Sequence, residues 1–374
     1  MLRAPALILL FGLLLSSCGR RMSAGRQEGG DTLRLKYSTL LQIVRHEGYT
    51  EVSIRNPWRK GSVLHTYLLV PRSAAMPAGL PQGTVVRTPV GRAAVFTTVH
   101  CSLLTTLGHS HRIVAVADLK YIKTPAVLQA VAQGRVADCG DGMSPVAEKI
   151  IEARPDIIML SPFENSGGYG KLEDIGIPLV ECAEYMEPSP LARAEWMKFY
   201  GLLLGAQSRA DSLFAVVDSS YQALRHQAAQ AGPGRSVLID KLTGSVWYVP
   251  GGRSTLGQMV RDAGGRYPWA DNRQSGSLAL PFESVLQRAG QAQVWMFRHS
   301  GSLPASRQRL LAEHHGYRQL AAFQTGDVYA CNVEQTLFYE ETPFRPDRLL
   351  ADFIRILHPA MPHLPPLHYY QKIE

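Results

Sequence analysis

From residue 85 onwards, short apolar runs alternate with helical stretches, and no other feature limits the fold of this chain so strongly. Strands are expected at 93–96, 113–117, 157–160 and 179–182. Between them the pattern predicts helices at 102–108, 125–134, 145–153 and 170–175. Strands joined by helices of this length pair in parallel, because a crossover needs the intervening helix. A helical tract then fills 191–229, with an apolar stripe through Trp196, Phe199, Leu203, Ala210, Val217, Tyr221 and Leu224. Gly205 is the expected break, and Ser208 to Asp211 has capping-box spacing that would restart the helix. The restarted piece would be about 31 Å long at 1.5 Å per residue. The alternation resumes with strands at 237–239, 294–297 and 327–330 and helices at 255–263, 282–289, 307–315 and 346–357. The expected fold class is α/β: two Rossmann-like lobes joined by a long rigid helix, with a ligand cleft between them.

The N-terminus has a different texture. Arg3, an apolar stretch from Ala4 to Leu15 and small residues after it read as a secretory signal too short to remain as a membrane span. It ends in Leu15-Ser16-Ser17-Cys18, which matches the bacterial lipobox and makes Cys18 the expected lipidation site and first mature residue. Acyl chains there would hold an exported protein to the periplasmic side of a membrane. Residues 18–32 are the expected tether, and 33–84 a β-rich extension with its connector. The first lobe is placed at 85–188, the interlobe helix at 189–232 and the second lobe at 233–374. Within the extension, 40–45, 49–54 and 63–70 read as a small antiparallel meander whose role the sequence leaves open, between bracing the first lobe and touching a partner.

A formal charge of +8 raises the question of nucleic acid, but the basic residues are scattered and the leader points out of the cytoplasm, so no nucleic-acid partner is expected. The spacings of Cys101, Cys139, Cys182 and Cys331 fit no short disulfide or zinc framework; one bridge or four buried thiols would both satisfy them. No catalytic motif emerges. His46-Glu47 lacks the second His of a zincin, and Gly252 to Gly257 lacks the Lys of a phosphate loop, although a helix start there could offer N–H groups to an anion. His109 with His111, and His358, His363 and His368, are incomplete as metal sites, so no metal and no resident cofactor are expected.

The order of several stretches is informative. Residues 91–118, GRAAVFTTVHCSLLTTLGHSHRIVAVAD, resemble the opening βαβ unit of the ABC-transporter substrate-binding proteins for iron complexes, haem and cobalamin. Residues 144–159, 172–180, 195–205, 250–257, 262–265, 280–286 and 348–358 follow in the family's order, so the resemblance spans about residues 85 to 360. It implies a periplasmic-binding-protein fold of the helical-backbone type, usually monomeric. Its partners would be an ABC permease and ATPase subunits, and its contact with the membrane a lipid anchor only. Each lobe of that family carries an exposed carboxylate that docks on permease arginines; the matching positions are Glu148 and Glu283. Two separated acids of this kind give orientation and on-rate more than affinity.

Ligand contacts are expected from loops at the carboxyl ends of strands. In the first lobe these are Thr98, His100, Tyr121 and Phe163. In the second they are Lys241, Trp247, Tyr248, Arg253, Arg298 and Tyr339. Aromatic rings stack on flat macrocycles, and Arg and Lys pair with the carboxylates of haem or ferric chelates. The expected function is capture of a metal chelate (ferric siderophore, haem or cobalamin) and delivery to an importer, without covalent chemistry. Two alternatives stand beside it: a chelatase-like enzyme using His100, Cys101 or Tyr121, and a surface scavenger that passes its ligand to a receptor.

Overall fold

The computed structural model describes residues 30–164 and 168–374; the expected leader and Cys18 lie outside them. The first lobe is built on a five-stranded parallel sheet in the order Leu179–Glu181, Ile157–Leu160, Ala93–Val95, Ile113–Val116, Ala137–Asp138. Its three middle strands are buried along their whole length, which is why they read as unbroken apolar runs. The last strand is two residues long and half-buried, so it left no such run. Helix Thr98–Thr106 starts four residues before the expected position, because Thr97 caps it by accepting a hydrogen bond from the His100 N–H at 3.2 Å. The early start puts the first helical turn directly at the end of strand Ala93–Val95.

The second lobe has parallel strands Val237–Ile239, Val294–His299 and Val328–Asn332, with Gln371–Lys372 added antiparallel. A separate antiparallel sheet of Leu242–Thr243, Val246–Pro250 and Ser277–Leu280 was not legible in advance. The glycines after it serve packing. A Cβ at Gly251 would stand 2.3 Å from the Gln274 carbonyl oxygen, and one at Gly252 2.5 Å from that of Trp269. The neighbouring loop therefore fills the space in which a phosphate cradle would lie.

Between the lobes run helices Pro190–Glu195, Met197–Leu204 and Gln207–Gln230. Gly205 makes the break, in the left-handed region at φ +65°. The long helix begins at Gln207 without a side-chain cap, so the expected capping box at Ser208 does not form; Ser208 lies inside the helix, where its carbonyl accepts from Ser212 Oγ. At 24 residues it is about 36 Å long.

The N-terminal extension is a five-stranded sheet, Asp31–Leu33, Leu41–His46, Tyr49–Arg55, Val63–Pro71 and Thr84–Thr88 in sequence order. The meander is antiparallel as expected, with a further strand at each edge, and the last one pairs in parallel. Two buried carboxylates, Glu195 of the first interlobe helix and Glu187 on the turn before it, hold its leading segment. Glu195 accepts the backbone N–H groups of Lys36, Tyr37 and Ser38, and Glu187 those of Thr39 and Leu40. Asp218 on the long helix binds Lys36 Nζ and Tyr37 Oη. These contacts fasten the leading segment of the extension to the interlobe helices and to the turn before them. Ile43, Val52, Ile54, Tyr67 and Leu69 of the extension join the same core as both lobes.

Candidate functional site

Between the lobes lies a cavity of about 640 Å³. The first lobe contributes Thr97, Thr98, Asp118, Lys120, Tyr121 and Lys123, from the turns after strands Ala93–Val95 and Ile113–Val116. The second contributes Ser300, Glu334, Tyr339 and Glu340. A second cavity of about 620 Å³ adjoins it, lined by Asp240, Lys241, Tyr248, Arg298, Arg309 and Glu313 among others, and shares Ser300 and Tyr339 with the first. The two form one cleft. In each lobe an Asp at the cleft, Asp118 or Asp240, sits just after a strand in the left-handed conformation that Asp tolerates better than most residues.

The cleft is charged but balanced. Lys120, Lys123, Lys241, Arg298 and Arg309 face Asp118, Asp240, Glu313, Glu334 and Glu340. Several are already paired. Arg298 binds Asp240 through two nitrogens, at 3.0 and 2.6 Å, and Lys241 is ion-paired with Glu313. Burial alone would lower the Arg298 pKa, but Asp240 outweighs it and holds the guanidinium charged. Lys123 Nζ donates to the Val333 carbonyl across the lobes, and Lys120 lies 4.9 Å from the Tyr121 ring centroid. Burial, reinforced by Lys241, lowers the His299 pKa and keeps this cleft imidazole neutral at physiological pH.

Of the expected ligand contacts, the structure brings Thr98, Tyr121, Lys241, Tyr248, Arg298 and Tyr339 to the cleft. The rings of Tyr121, Tyr248 and Tyr339 are exposed there, although Tyr121 and Tyr248 lie in different cavities. Four expected contacts lie elsewhere. His100 is fully buried, with Nε2 3.0 Å from Tyr200 Oη and 3.5 Å from Glu184; one turn into a helix capped at Thr97, it points into the core. Trp247 is fully buried too, donating from Nε1 to the Ile239 carbonyl and packing on Trp295 and Tyr317, because alternate residues of a strand face opposite ways and Tyr248 takes the outer side. Phe163 lines a separate cavity of about 360 Å³ with Met143 and Tyr169. Arg253 is exposed on the turn before helix Thr255–Asp262 and lines neither cleft cavity.

With His100 in the core and Cys101 beside it, buried and lifted by burial to about 12, two of the three residues offered for a chelatase-like reaction are withdrawn from the cleft. All four described cysteines are buried and unpaired. Sequence reasoning missed Lys123, Ser300, Glu334 and Glu340. The last three follow strands Val294–His299 and Val328–Asn332, and extending the search past those strand ends would have found them.

Glu148 and Glu283 are both exposed, each in the first turn of its helix, Ala147–Ala153 and Phe282–Ala289, where the helix dipole favours a carboxylate. Exposed apolar residues Met143, Val146 and Ile151 share the surface segment around Glu148.

The sequence matches the family described as periplasmic binding protein over residues 94–334. The chain belongs to the periplasmic binding protein family. The structure of this periplasmic binding protein is similar to a periplasmic haem-binding protein from Pseudomonas aeruginosa, with a TM-score of 0.59 and 19% identity, covering 76% of this chain and 98% of the other. It also resembles the periplasmic vitamin B12 binding protein of Vibrio cholerae, with a TM-score of 0.53 and 19% identity, covering 74% and 99%. Both likenesses bear out the two-lobed fold. Among relatives, an uncharacterised lipoprotein of Methanocaldococcus jannaschii is 24% identical over 91% of this chain and 87% of its own length. No helix among the described residues is long and apolar enough to cross a membrane.

Proposed function

We propose that this chain is the lipid-anchored, extracytoplasmic substrate-binding component of an ABC importer, and that its cargo is a metal chelate: a ferric siderophore, haem or cobalamin. The observation that carries the reading is the cleft, two adjoining cavities with exposed Tyr121, Tyr248 and Tyr339 and with residues drawn from both lobes. A cavity of this size suits one large, flat ligand, and tyrosines offer both a stacking face and a hydroxyl to it. The haem and vitamin B12 carried by proteins of the same fold support that class of cargo.

In this reading Cys18 carries the acyl chains, as the lipoprotein relatives suggest. Glu148 and Glu283 dock on arginines of the permease. The interlobe tract keeps the lobes from swinging far, so release follows from a small hinge or shear movement when docking and ATP hydrolysis in the partner subunits pull the cleft open. The binding protein itself performs no covalent chemistry on its cargo.

Titration of a soluble form starting at Thr32 with haemin, cyanocobalamin and ferric hydroxamate and catecholate complexes, followed by absorbance and tryptophan fluorescence, tests the cargo. Saturable one-to-one binding with the ligand unchanged is the expected result; conversion of the ligand, or no binding to any of them, would overturn it. Charge reversal at Glu148 and Glu283 together is expected to abolish uptake while leaving ligand affinity intact.

A further inference from the structure

One part of the extension has no role in the reading above. The hairpin joining strands Tyr49–Arg55 and Val63–Pro71 carries Arg55, Trp58, Arg59 and Lys60. The three cations are exposed, and so is the Val63 side chain beside them, at 55%. Trp58 is half-exposed, whereas Trp196, Trp247, Trp269 and Trp295 are all buried. The turn is built rather than loose. Asn56 Oδ1 accepts the N–H groups of Trp58 at 2.9 Å and Arg59 at 2.8 Å, Ser62 Oγ donates to the Arg59 carbonyl at 2.8 Å, and Gly61 takes a φ of +81°.

The charge at this tip is unspent. Between Glu51 and Asp118 the sequence holds seven Lys and Arg residues and no Asp or Glu. Four of the seven bond within the protein: Arg72 with Asp156, Arg87 with the Arg72 and Ala74 carbonyls, Arg92 with that of Ala153, and Arg112 with those of Val90 and Leu204. The other three are Arg55, Arg59 and Lys60, gathered on the hairpin. Glu51, the nearest acid before them in the chain, lies back along the sheet, 3.7 Å from His46 Nε2.

The direction in which the tip points follows from the contacts of strand Val63–Pro71. Near its start, His65 Nδ1 lies 3.0 Å from Glu181 Oε2 and Tyr67 Oη accepts the Glu181 N–H at 2.8 Å, at the carboxyl end of strand Leu179–Glu181. Just past its end, Arg72 meets Asp156 at 2.7 Å, before the amino end of strand Ile157–Leu160. The strand therefore runs against the first-lobe strands, and the hairpin projects beyond their carboxyl ends. The cleft loops and Glu148, in the first turn of helix Ala147–Ala153, lie on that same side. A binding protein that sets Glu148 on a permease turns this hairpin toward the bilayer around it. The anchor can reach the same bilayer: from Cys18 to Gly30 an extended chain spans about 40 Å, and the nine-residue strand Val63–Pro71 only about 30 Å.

We propose that the hairpin from Arg55 to Val63 is a membrane-contacting tip, in which Arg55, Arg59 and Lys60 meet anionic lipid headgroups and Trp58 with Val63 rests at the interface. The proposal takes its orientation from the transport reading. Tryptophan favours the boundary between headgroups and acyl chains, and each basic side chain near an anionic surface strengthens contact about fivefold. Seated in this way, the tip holds the tethered protein with its cleft and Glu148 facing the membrane.

The test uses the mature chain from Cys18 to Glu374, coupled through the Cys18 thiol to a maleimide-bearing lipid; the four described cysteines are buried and do not compete. This coupling supplies the anchor whatever the cell does at Cys18, and titration with the chelates tests the transport reading separately. The vesicles are phosphatidylcholine alone, or phosphatidylcholine and phosphatidylglycerol at about two to one, with acyl chains brominated near the headgroup to quench a tryptophan at the interface. Quenching is expected on the anionic vesicles, is expected to fall away at about 1 M salt, where the Debye length is about 3 Å, and is expected to be absent in Trp58→Phe. Arg59→Gln combined with Lys60→Gln should weaken the contact at least tenfold with thermal stability unchanged. No quenching on anionic vesicles, or quenching equal on neutral ones and untouched by the double variant, would overturn the proposal. Uptake lowered by the double variant without any quenching on vesicles would overturn it too, and would give the hairpin to the permease protein.

Discussion

Removing Glu195 tests whether the extension is braced as described. The carboxylate is fully buried, and its two oxygens accept the N–H groups of Lys36 at 2.9 Å, Tyr37 at 2.7 Å and Ser38 at 2.9 Å, with Lys198 Nζ at 3.0 Å. Hydrogen bonds to a charged acceptor contribute about 1.5–3 kcal/mol each, so three would give an upper figure of roughly 5–9 kcal/mol if the freed amides stayed buried. They need not, because residues 36–38 are half-exposed and can turn toward water while Glu187 still holds Thr39 and Leu40. Glu195→Ala should therefore cost about 3–5 kcal/mol, the range for breaking a buried charged network. Glu195→Gln keeps one accepting oxygen and should cost less. Urea unfolding of the soluble form would read the loss as a lower midpoint at unchanged slope, and hydrogen exchange should show amides 36–38 losing protection together. A loss below about 1 kcal/mol with those amides still protected would refute the argument, since that is the range of an ordinary solvated contact.

Other outcomes follow from the same structure. Trp247→Ala should cost about 3–5 kcal/mol in urea unfolding, as a core truncation does, because the ring fills space between Trp295, Phe282 and Tyr317. Asp156 is opposed by burial, yet the Gly91 and Arg92 N–H groups and Arg72 outweigh it and depress its pKa below 3.8. Its contribution is thus complete above that value and lost as pH falls through the lower folded value; Asp156→Asn should flatten the acid limb of a stability–pH curve. His100 shows the opposite sign: burial lowers it, but Cys182 and Glu184 raise it to about 10, so its stabilisation is full below 6.5 and disappears as pH rises toward 10. His100→Gln should remove that alkaline loss while leaving ligand affinity unchanged. Cys101, Cys139 and Cys331 should resist a water-soluble disulfide reagent in the native protein and react together in denaturant, since burial lifts Cys139 and Cys331 to about 11 and Cys101 to about 12.

The parallel sheets were legible because burial on both faces turns a strand into an unbroken apolar run, as at Ile157–Leu160 and Val237–Ile239. Short or half-exposed strands such as Ala137–Asp138 and Ser277–Leu280 carry no such mark, and they became visible only once their neighbours were in place. Strand ends located the cleft loops, yet side-chain direction did not follow from position. His100 and Trp247 were expected on loops after strands; His100 lies instead in the first turn of helix Thr98–Thr106 and Trp247 on strand Val246–Pro250, and both turn inward, a matter of helix phase and strand alternation that a register error of one residue reverses. Glu340 went unnoticed for a different reason: nothing local distinguishes a Glu in Phe338–Glu341, and the residue it binds across the lobes, Thr98, is 242 residues away in the chain.

That distance along the chain also sets a schedule. The amides of Lys36 to Leu40 find their carboxylates 147 to 159 residues later, at Glu187 and Glu195. As the polypeptide emerges from its N-terminus, the strands of the extension can pair with one another, but the segment leading into them has nothing to close on until the whole first lobe has followed. Contacts of such long sequence separation form late and slowly. A chain so arranged leaves Lys36 to Leu40 without their acceptors until Glu187 and Glu195 have followed, and the joining of lobe, extension and interlobe helix becomes a single late event.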